Sequence, residues 1–303
     1  MFLLGKRTLA VFFLSLGLAL LAVKLRSIDW TSVAAVIGGM STRSLVGAVA
    51  LAIASYAVYC SYDLLGRHYT GHGLTRRQVL TAAFVSYACG LNLGPVGTGF
   101  RFRLYMRLGL GVGVTAALWM VTVATNWLGF LVLAGIAFAA ELIPLPAGAP
   151  IGAATLPGFG VAMLAAATVY LTLCGLAANR SWTLRGRRIR LPTLSFALLQ
   201  CAASVLNWLL MASVIFILLQ QKVAFSAVLG ALLLNALALA VVDVPGGLGV
   251  LETIFVALLG DRLPATELLA ALLAYRGIYY LAPLLIATPV YLALETGIGT
   301  ARR

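Results

Sequence analysis

Apolar stretches long enough to cross a bilayer, broken in two places by glycine and proline, constrain this chain more than any other feature. They run over approximately 8–24, 44–65, 78–93, 112–140, 158–178, 193–219, 225–242 and 265–294. The sharpest break is Val244-Pro245-Gly246-Gly247-Leu248-Gly249-Val250-Leu251-Glu252. Proline lacks an N–H and glycine is conformationally loose, so a helix must stop there. Hydrocarbon does not tolerate unpaired backbone, so the break must sit within protein or against a water-filled cavity. Asp243 and Glu252 border it. An echo, Pro95-Val96-Gly97-Thr98-Gly99, lies about 150 positions earlier and is followed by Arg101 and Arg103. One break is acidic and the other basic.

The composition agrees with a polytopic membrane protein. The chain is 62% hydrophobic and 10% charged, with a mean hydropathy of +1.05, against about 25% charged residues in soluble domains. Spans and short loops use up the 303 residues and leave no room for a sizeable soluble domain. A net charge of +13 invites a nucleic-acid partner. The charges instead fall in short loops between spans, where Lys and Arg set topology, and no basic face or aromatic platform accompanies them. Cys60, Cys89, Cys174 and Cys201 sit in apolar segments without metal-ligand spacing and read as small buried hydrophobes. His68 and His72 fall in a basic loop and read as solvated. Residues 8–23 follow Lys6-Arg7 as a signal peptide would. No small-residue cleavage site follows, and Lys24 and Arg26 come next, which predicts an uncleaved first span.

Short pieces at 100–110 and 249–260 follow the two breaks, and pieces of this length are more often re-entrant or buried than spanning. The expectation is two hairpins, 78–110 and 225–260, that dip into the membrane and return. With the N-terminus cytoplasmic, this topology puts 15 Lys and Arg inside and 5 outside, with Arg276 left within a span. A first hairpin that crossed would give 12 against 8, a poorer fit to the positive-inside bias. The basic loop from Asn179 to Leu191 reads as a topology signal that also attracts anionic headgroups. The linker Pro144-Leu145-Pro146-Ala147-Gly148-Ala149-Pro150 divides the chain near its middle. A shift of 150 carries the first three apolar stretches onto later ones, and Pro95, Gly97 and Gly99 onto Pro245, Gly247 and Gly249. The predicted fold is therefore all-α and polytopic. Its two repeats, 1–150 and 151–303, each hold three spans and one hairpin. Three is odd, so the second repeat lies upside down relative to the first, and inverted repeats with broken helices near the midplane are a transporter design.

Arg276 lies well inside a span, in Ala274-Tyr275-Arg276-Gly277-Ile278-Tyr279-Tyr280. A lone Arg at a helix centre costs about 2.5–3.5 kcal/mol on insertion scales, so it needs a partner or water. Glu252 and Asp243 are the natural partners; a static ion pair and a substrate contact both fit. Glu252 also sits where a carboxylate suits the positive end of a helix dipole. Arg101 and Arg103 open the second arm of the first hairpin. Arg103 and Arg107 share a helical face at i, i+4, and arginine at a helix N-terminus suits phosphate; interfacial topology charges are the plainer reading. Asp63, near Arg67, reads either as a site carboxylate or as an interfacial salt bridge. Asn92 and Asn126 are expected to hydrogen-bond across helices. Tyr275, Tyr279 and Tyr280 either line a lipid path or pack at the interface. No phosphate loop, metal site or nucleophile elbow is present.

Pro245-Gly246-Gly247-Leu248-Gly249-x-x-Glu252, with Tyr275-Arg276-x-x-Tyr279-Tyr280-x-x-Pro283 and Gly94-Pro95-x-Gly97-x-Gly99-x-Arg101, resembles the lysylphosphatidylglycerol synthase transmembrane-region family. The resemblance covers the chain from about the second span to the last. It implies a polytopic fold with two re-entrant hairpins and, as in the flippase half of the multiple-peptide-resistance protein, movement of lipid between leaflets. The matching positions are Asp63, Arg101, Glu252 and Arg276. The aminoacyl-transferase half is absent, so no aminoacyl-lipid synthesis is expected.

The leading expectation is a lipid translocase of the bacterial cytoplasmic membrane, with both termini cytoplasmic and no enzymatic activity, cofactor, metal or nucleic-acid partner. An anionic headgroup would enter between the hairpins, held by Arg101, Arg103 and Arg276, with Asp63, Asp243 and Glu252 holding the arginines or taking protons. The alternative is a non-transporting accessory or scaffold for a lipid-modifying or envelope enzyme. A homo-oligomer or such an enzyme is the protein partner expected.

Overall fold

A computed structural model of the chain describes residues 31, 35, 38–143, 155–177, 181–184, 187–241, 247 and 249–300. The expected span at 8–24, the linker at 144–150, Asp243 and Pro245 lie outside those residues. The described chain runs through α1 (Thr42–Thr70), α2 (Arg76–Leu93), α3 (Pro95–Arg107), α4 (Val112–Ala139) and α5 (Thr155–Leu176). A short ladder, β1 (Ser181–Leu184) with β2 (Arg187–Arg190), follows. Then come α6 (Leu194–Leu218), α7 (Phe225–Val241), α8 (Val250–Leu259), α9 (Ala265–Tyr275), a π-helical segment (Arg276–Leu281) and α10 (Ala282–Thr300). The ladder corrects the expectation of a plain loop at 179–191: Ser181 pairs with Arg190 and Leu184 with Arg187 in antiparallel register.

Local chemistry explains the helix starts. Ser41 Oγ, Thr75 Oγ1 and Thr193 Oγ1 each accept the N–H three residues on, at 3.1, 3.3 and 3.4 Å, satisfying donors that a helix leaves orphaned. Gln78 Oε1 accepts the Thr75 N–H in return at 2.9 Å, completing a capping box.

Among the described residues, five stretches are long and apolar enough to cross a membrane: α1, α4, α5, α6 and the continuous run Ala265–Thr296. Large apolar side chains stand on their outer faces, with Ile53 65%, Leu176 80% and Ile286 59% exposed. Such faces suit lipid as the surrounding solvent. Helix α4 packs against α1, α5 and α6. Small residues let the backbones close up, as in membrane bundles generally. A Cβ on Gly129 would fall 2.6 Å from the Val205 nitrogen of α6, and one on Gly160 would fall 2.8 Å from the Gly135 carbonyl oxygen of α4.

The two broken-helix pairs differ in detail from expectation. Helices α2 and α3 have 18 and 13 residues, about 27 and 20 Å at 1.5 Å per residue, where a hydrocarbon core is about 30 Å thick. They turn at Gly94, whose φ of 56° and ψ of −130° suit glycine alone. The break was expected at Pro95, Gly97 and Gly99; instead α3 begins on Pro95 and both glycines are helical. Proline suits the first helical turn because its φ is preset and its missing N–H would have no partner there. Gly97 serves packing instead, since a Cβ there would lie 2.4 Å from the Gly90 Cα of α2. In the second pair, α7 and α8 have 17 and 10 residues, and Gly247 and Gly249 between them take φ values of 58° and 80°.

The bundle's ends are marked by contacts. The last turn of α1 (His68, Tyr69, Thr70), the start of α4 (Gly113, Val114) and the start of α6 (Phe196) line one cavity of about 440 Å³. At the other end of α6, Lys222 pairs with Glu267 of α9 at 2.5 Å, and Gly39 and Met40, just before α1, line a cavity with both.

Gly97→Ala is expected to force α2 and α3 apart and to destabilise the protein by about 1–3 kcal/mol, the usual cost of overpacking. Gly113→Ala, with nothing within 4 Å of the added atom, is expected to leave stability unchanged or slightly raised. Melting of the two variants in one detergent checks the contrast.

Candidate functional site

Arg276 opens the π-helical segment and is 3% exposed. Pro283 accounts for the widened turn. Its ring would clash with the carbonyl four residues back, and it has no N–H to offer that group; here Ala282 N–H reaches Gly277 O instead, five residues back. Two carbonyls of this segment accept from side chains, Tyr279 O among them, the group that Pro283 leaves without an N–H. Tyr56 Oη donates to Tyr279 O at 3.0 Å, and Asn92 Nδ2 donates to Tyr280 O at 3.0 Å. Asn92 lies two residues before the Gly94 turn, so the first break and the π turn are joined directly. The Tyr279 hydroxyl meets Ser55 Oγ at 2.6 Å and Tyr87 Oη at 3.1 Å, and Ser55 Oγ donates to Asn207 Oδ1 at 2.7 Å.

Arg276 also reaches the second break. Its Nε donates to Glu252 Oε1 at 2.5 Å and its Nη2 to Glu252 Oε2 at 3.0 Å, a two-pronged pairing. The same Nη2 donates to Gly247 O at 2.7 Å, and the guanidinium lies 5.7 Å from the centre of the Tyr280 ring. Glu252 sits three residues after Gly249 and accepts its N–H at 3.1 Å, so one carboxylate caps α8 and neutralises Arg276. Glu252 is thus the expected partner; Asp243 lies outside the described residues.

The first half carries a second, closed pair. Arg101 Nη1 donates to both Asp63 oxygens at 2.6 and 2.8 Å. Tyr105 Oη and Thr122 Oγ1 donate to the same carboxylate at 2.5 and 2.6 Å. Asp63 has no exposed surface and Arg101 is 4% exposed. Asp63 does not pair with Arg67, as its position suggested; Arg67 Nε donates to Leu74 O at 2.6 Å. Arg103 and Arg107 share a helical face as expected, and both pair with Glu295 of α10.

Sequence reasoning missed Glu295, Tyr105, Thr122, Tyr56 and Ser55. The one signal available was spacing: Tyr105 follows Arg101 by four and shares its face. Tyr275, Tyr279 and Tyr280 are buried rather than interfacial. Asn126 is bonded across helices through its carbonyl, which accepts from Ser204 Oγ at 2.9 Å and Trp208 Nε1 at 3.3 Å. His68 stacks on Phe196. Burial and then Arg67 hold the His72 imidazole below its ordinary pKa, and its Nδ1 accepts the Leu74 N–H at 3.3 Å. Cys60, Cys89 and Cys174 are buried, and Cys201 is partly so.

A helical bundle with lipid-facing apolar surfaces and ion pairs sealed inside it defines an integral membrane protein. The chain matches the model of the lysylphosphatidylglycerol synthase TM region over residues 8–287 and belongs to that family. It is similar to inner membrane protein YbhN of Escherichia coli strain K12, at 41% identity over 97% of this chain and 93% of that one. It is also 31% identical to the uncharacterized protein slr0712 of Synechocystis, over 90% and 86% of the two chains.

Asp63→Ala leaves the Arg101 charge buried without an anion and is expected to cost about 3–5 kcal/mol. Thr122→Val removes one donor and is expected to cost about 1–2 kcal/mol. The pair Asp63→Leu with Arg101→Met is expected to be more stable than either single change. Denaturation of the five variants in detergent checks the order, with Asp63→Leu, Arg101→Met, their pair and the natural protein read as a cycle.

Proposed function

We propose that this protein moves an anionic lipid headgroup between the leaflets of a bacterial inner membrane, with Arg276 as the group that takes the phosphate. The observation that carries the reading is the position of Arg276. It is a buried cation on a π turn, joined through Tyr280 and Asn92 to one helix break and through Gly247 and Glu252 to the other. Intramembrane charge is costly and is kept mostly where it works. π turns are rare and concentrate at functional sites.

The chemistry is an exchange of partners. A guanidinium fork binds a phosphate as it binds a carboxylate, so an arriving headgroup can replace Glu252 on Arg276 without leaving the arginine bare. Glu252 keeps the Gly249 N–H and the positive end of α8 while displaced. Asp63 and Arg101 act as a fixed staple in this scheme, because Tyr105 and Thr122 complete the carboxylate's shell. No bond is made or broken in the lipid, so the protein is a carrier rather than an enzyme.

Two halves, 1–150 and 151–303, related by inversion, suit this role. In support, α2 and α3 leave and return at the end where α1 finishes and α4 begins, whereas α7 and α8 leave and return at the end where α6 finishes and α9 begins. Arms shorter than the hydrocarbon core favour re-entry. The positive-inside count favours both termini in the cytoplasm, and YbhN carries the inner membrane in its name.

Transfer of a labelled anionic phospholipid across reconstituted vesicles is expected to fall on the order of tenfold or more for Arg276→Gln with Glu252→Gln, which leaves no unpaired buried charge. Gly113→Ala is expected to transfer like the natural protein. Natural-rate transfer by the double variant, folded by its melting curve, removes Arg276 from the mechanism.

A further inference from the structure

The β1–β2 hairpin takes no part in the pairing at either break. Strand β2 ends at Arg190, and the residues that follow it, Leu191, Pro192 and Thr193, line the cavity of about 440 Å³ at the end of the bundle. His68, Tyr69 and Phe196 form its facing walls. A ring-lined cavity therefore begins one residue beyond the strand.

Two features set this hairpin apart from a loop that only fixes topology. The first is charge. Arg187, Arg188 and Arg190 fill three of the four positions of β2, and Arg180 and Arg185 lie just outside the strands in sequence. The sequence holds no Asp or Glu between Glu141 and Asp243. The neighbouring helix ends add none: the first turns of α4 and α6 carry no acidic residue, and the last turn of α1 carries Arg67 and His68. The second feature is backbone. In an antiparallel pair, alternate residues of each strand turn N–H and C=O away from the partner strand. This sheet has two strands, so among the described residues both of its edges are open. Arginines hold a loop in the cytoplasm without any strand, whereas an open strand edge is a template for another strand.

The charge selects what can pair there. A second copy would set arginines against arginines, and like charges directly opposite destabilise a sheet. Anionic headgroups would answer the charge but have no ladder to match the edge. An extended acidic peptide answers both. Arg188 and Arg190, two apart, share one face of the strand, so acidic residues two apart stand beside them. Extended chain advances about 3.3 Å per residue, so the next residue or two of such a peptide reach the cavity at Leu191. Main-chain pairing with a pocket for one side chain is a recurring mode of peptide recognition.

We infer that β2 is a docking edge for an acidic, extended segment of a cytoplasmic protein partner, which adds a strand to the hairpin and places an apolar side chain in the cavity beside Leu191 and Phe196. Docking here needs no lipid transport; only its cytoplasmic side rests on the positive-inside count.

The test is anisotropy of a fluorescently labelled synthetic peptide added to the full chain in phosphatidylcholine nanodiscs, with hydrogen–deuterium exchange of β2 as a second readout. The probe alternates Glu with Val and ends in Phe. Its companions carry Lys for Glu, N-methyl groups on the backbone nitrogens, or Gly for the final Phe. The acidic probe is expected to bind and to protect the amides of β2. N-methylation is expected to weaken binding on the order of tenfold or more, as the loss of several hydrogen bonds implies, and the Lys peptide is expected not to bind. Arg188→Gln with Arg190→Gln is expected to weaken the acidic probe severalfold with the melting curve unchanged. Ala117→Leu, which fills the cavity, is expected to erase the advantage of Phe over Gly and to leave the Gly-ended peptide as it was. No binding at millimolar peptide overturns the docking edge. Equal binding of the N-methylated peptide, without protection of β2, overturns strand addition. Loss of binding in nanodiscs that contain phosphatidylglycerol assigns the arginines to the membrane surface and overturns the partner, as does a dimer whose β2 amides are protected without peptide.

Discussion

Inside a bilayer an ion or a bare backbone group has no water to turn to, and the whole arrangement answers to that shortage. The charged groups at the two breaks have named partners. Arg101 has Asp63, and Asp63 has Tyr105 and Thr122 besides. Arg276 has Glu252 and the Gly247 carbonyl. The Tyr279 and Tyr280 carbonyls have Tyr56 and Asn92. These bonds tie α1, α2 and α8 to the last long helix and α3 and α4 to α1, so the polar interior holds the bundle together where apolar contact alone would not distinguish protein from lipid.

The two buried pairs are built differently, and the difference bears on function. Asp63 accepts from three residues and is sealed, so any rearrangement there strips several bonds at once. Glu252 gives both oxygens to Arg276 and shares one of them with the Gly249 N–H, and it opens α8 beside Gly247 and Gly249 rather than standing inside a long helix. A carboxylate that also caps a helix has somewhere to stay when its cation finds another anion. The pair at the second break is therefore the one suited to exchange, and the pair near the first break the one suited to hold.

Much of this was legible in the sequence. The long apolar stretches located the helices, and the need to neutralise Arg276 selected Glu252. The i, i+4 spacing put Arg103 and Arg107 on one face. What sequence could not show were contacts between distant segments. Glu295 sits near the end of a span, where a single carboxylate looks like an interfacial charge, and nothing local ties it to α3. Asp63 lies four residues from Arg67, which drew attention from Arg101, thirty-eight positions on. The first break was misplaced because Gly97 and Gly99 look like helix breakers. Only the folded chain reveals that Gly97 is small for the sake of Gly90, and that Gly94 makes the turn.

The π turn has one more effect, on phase. A π turn holds about one residue more than an α turn, so it sets the helix after it back by roughly 100° compared with unbroken α geometry. That offset lets a single long helix show Arg276 to the second break and, four turns later, Tyr291 and Glu295 to α3. Were the bulge to relax into regular helix, one of those faces would swing away from its partners. The wide turn at Arg276 thus keeps time for both ends of the helix.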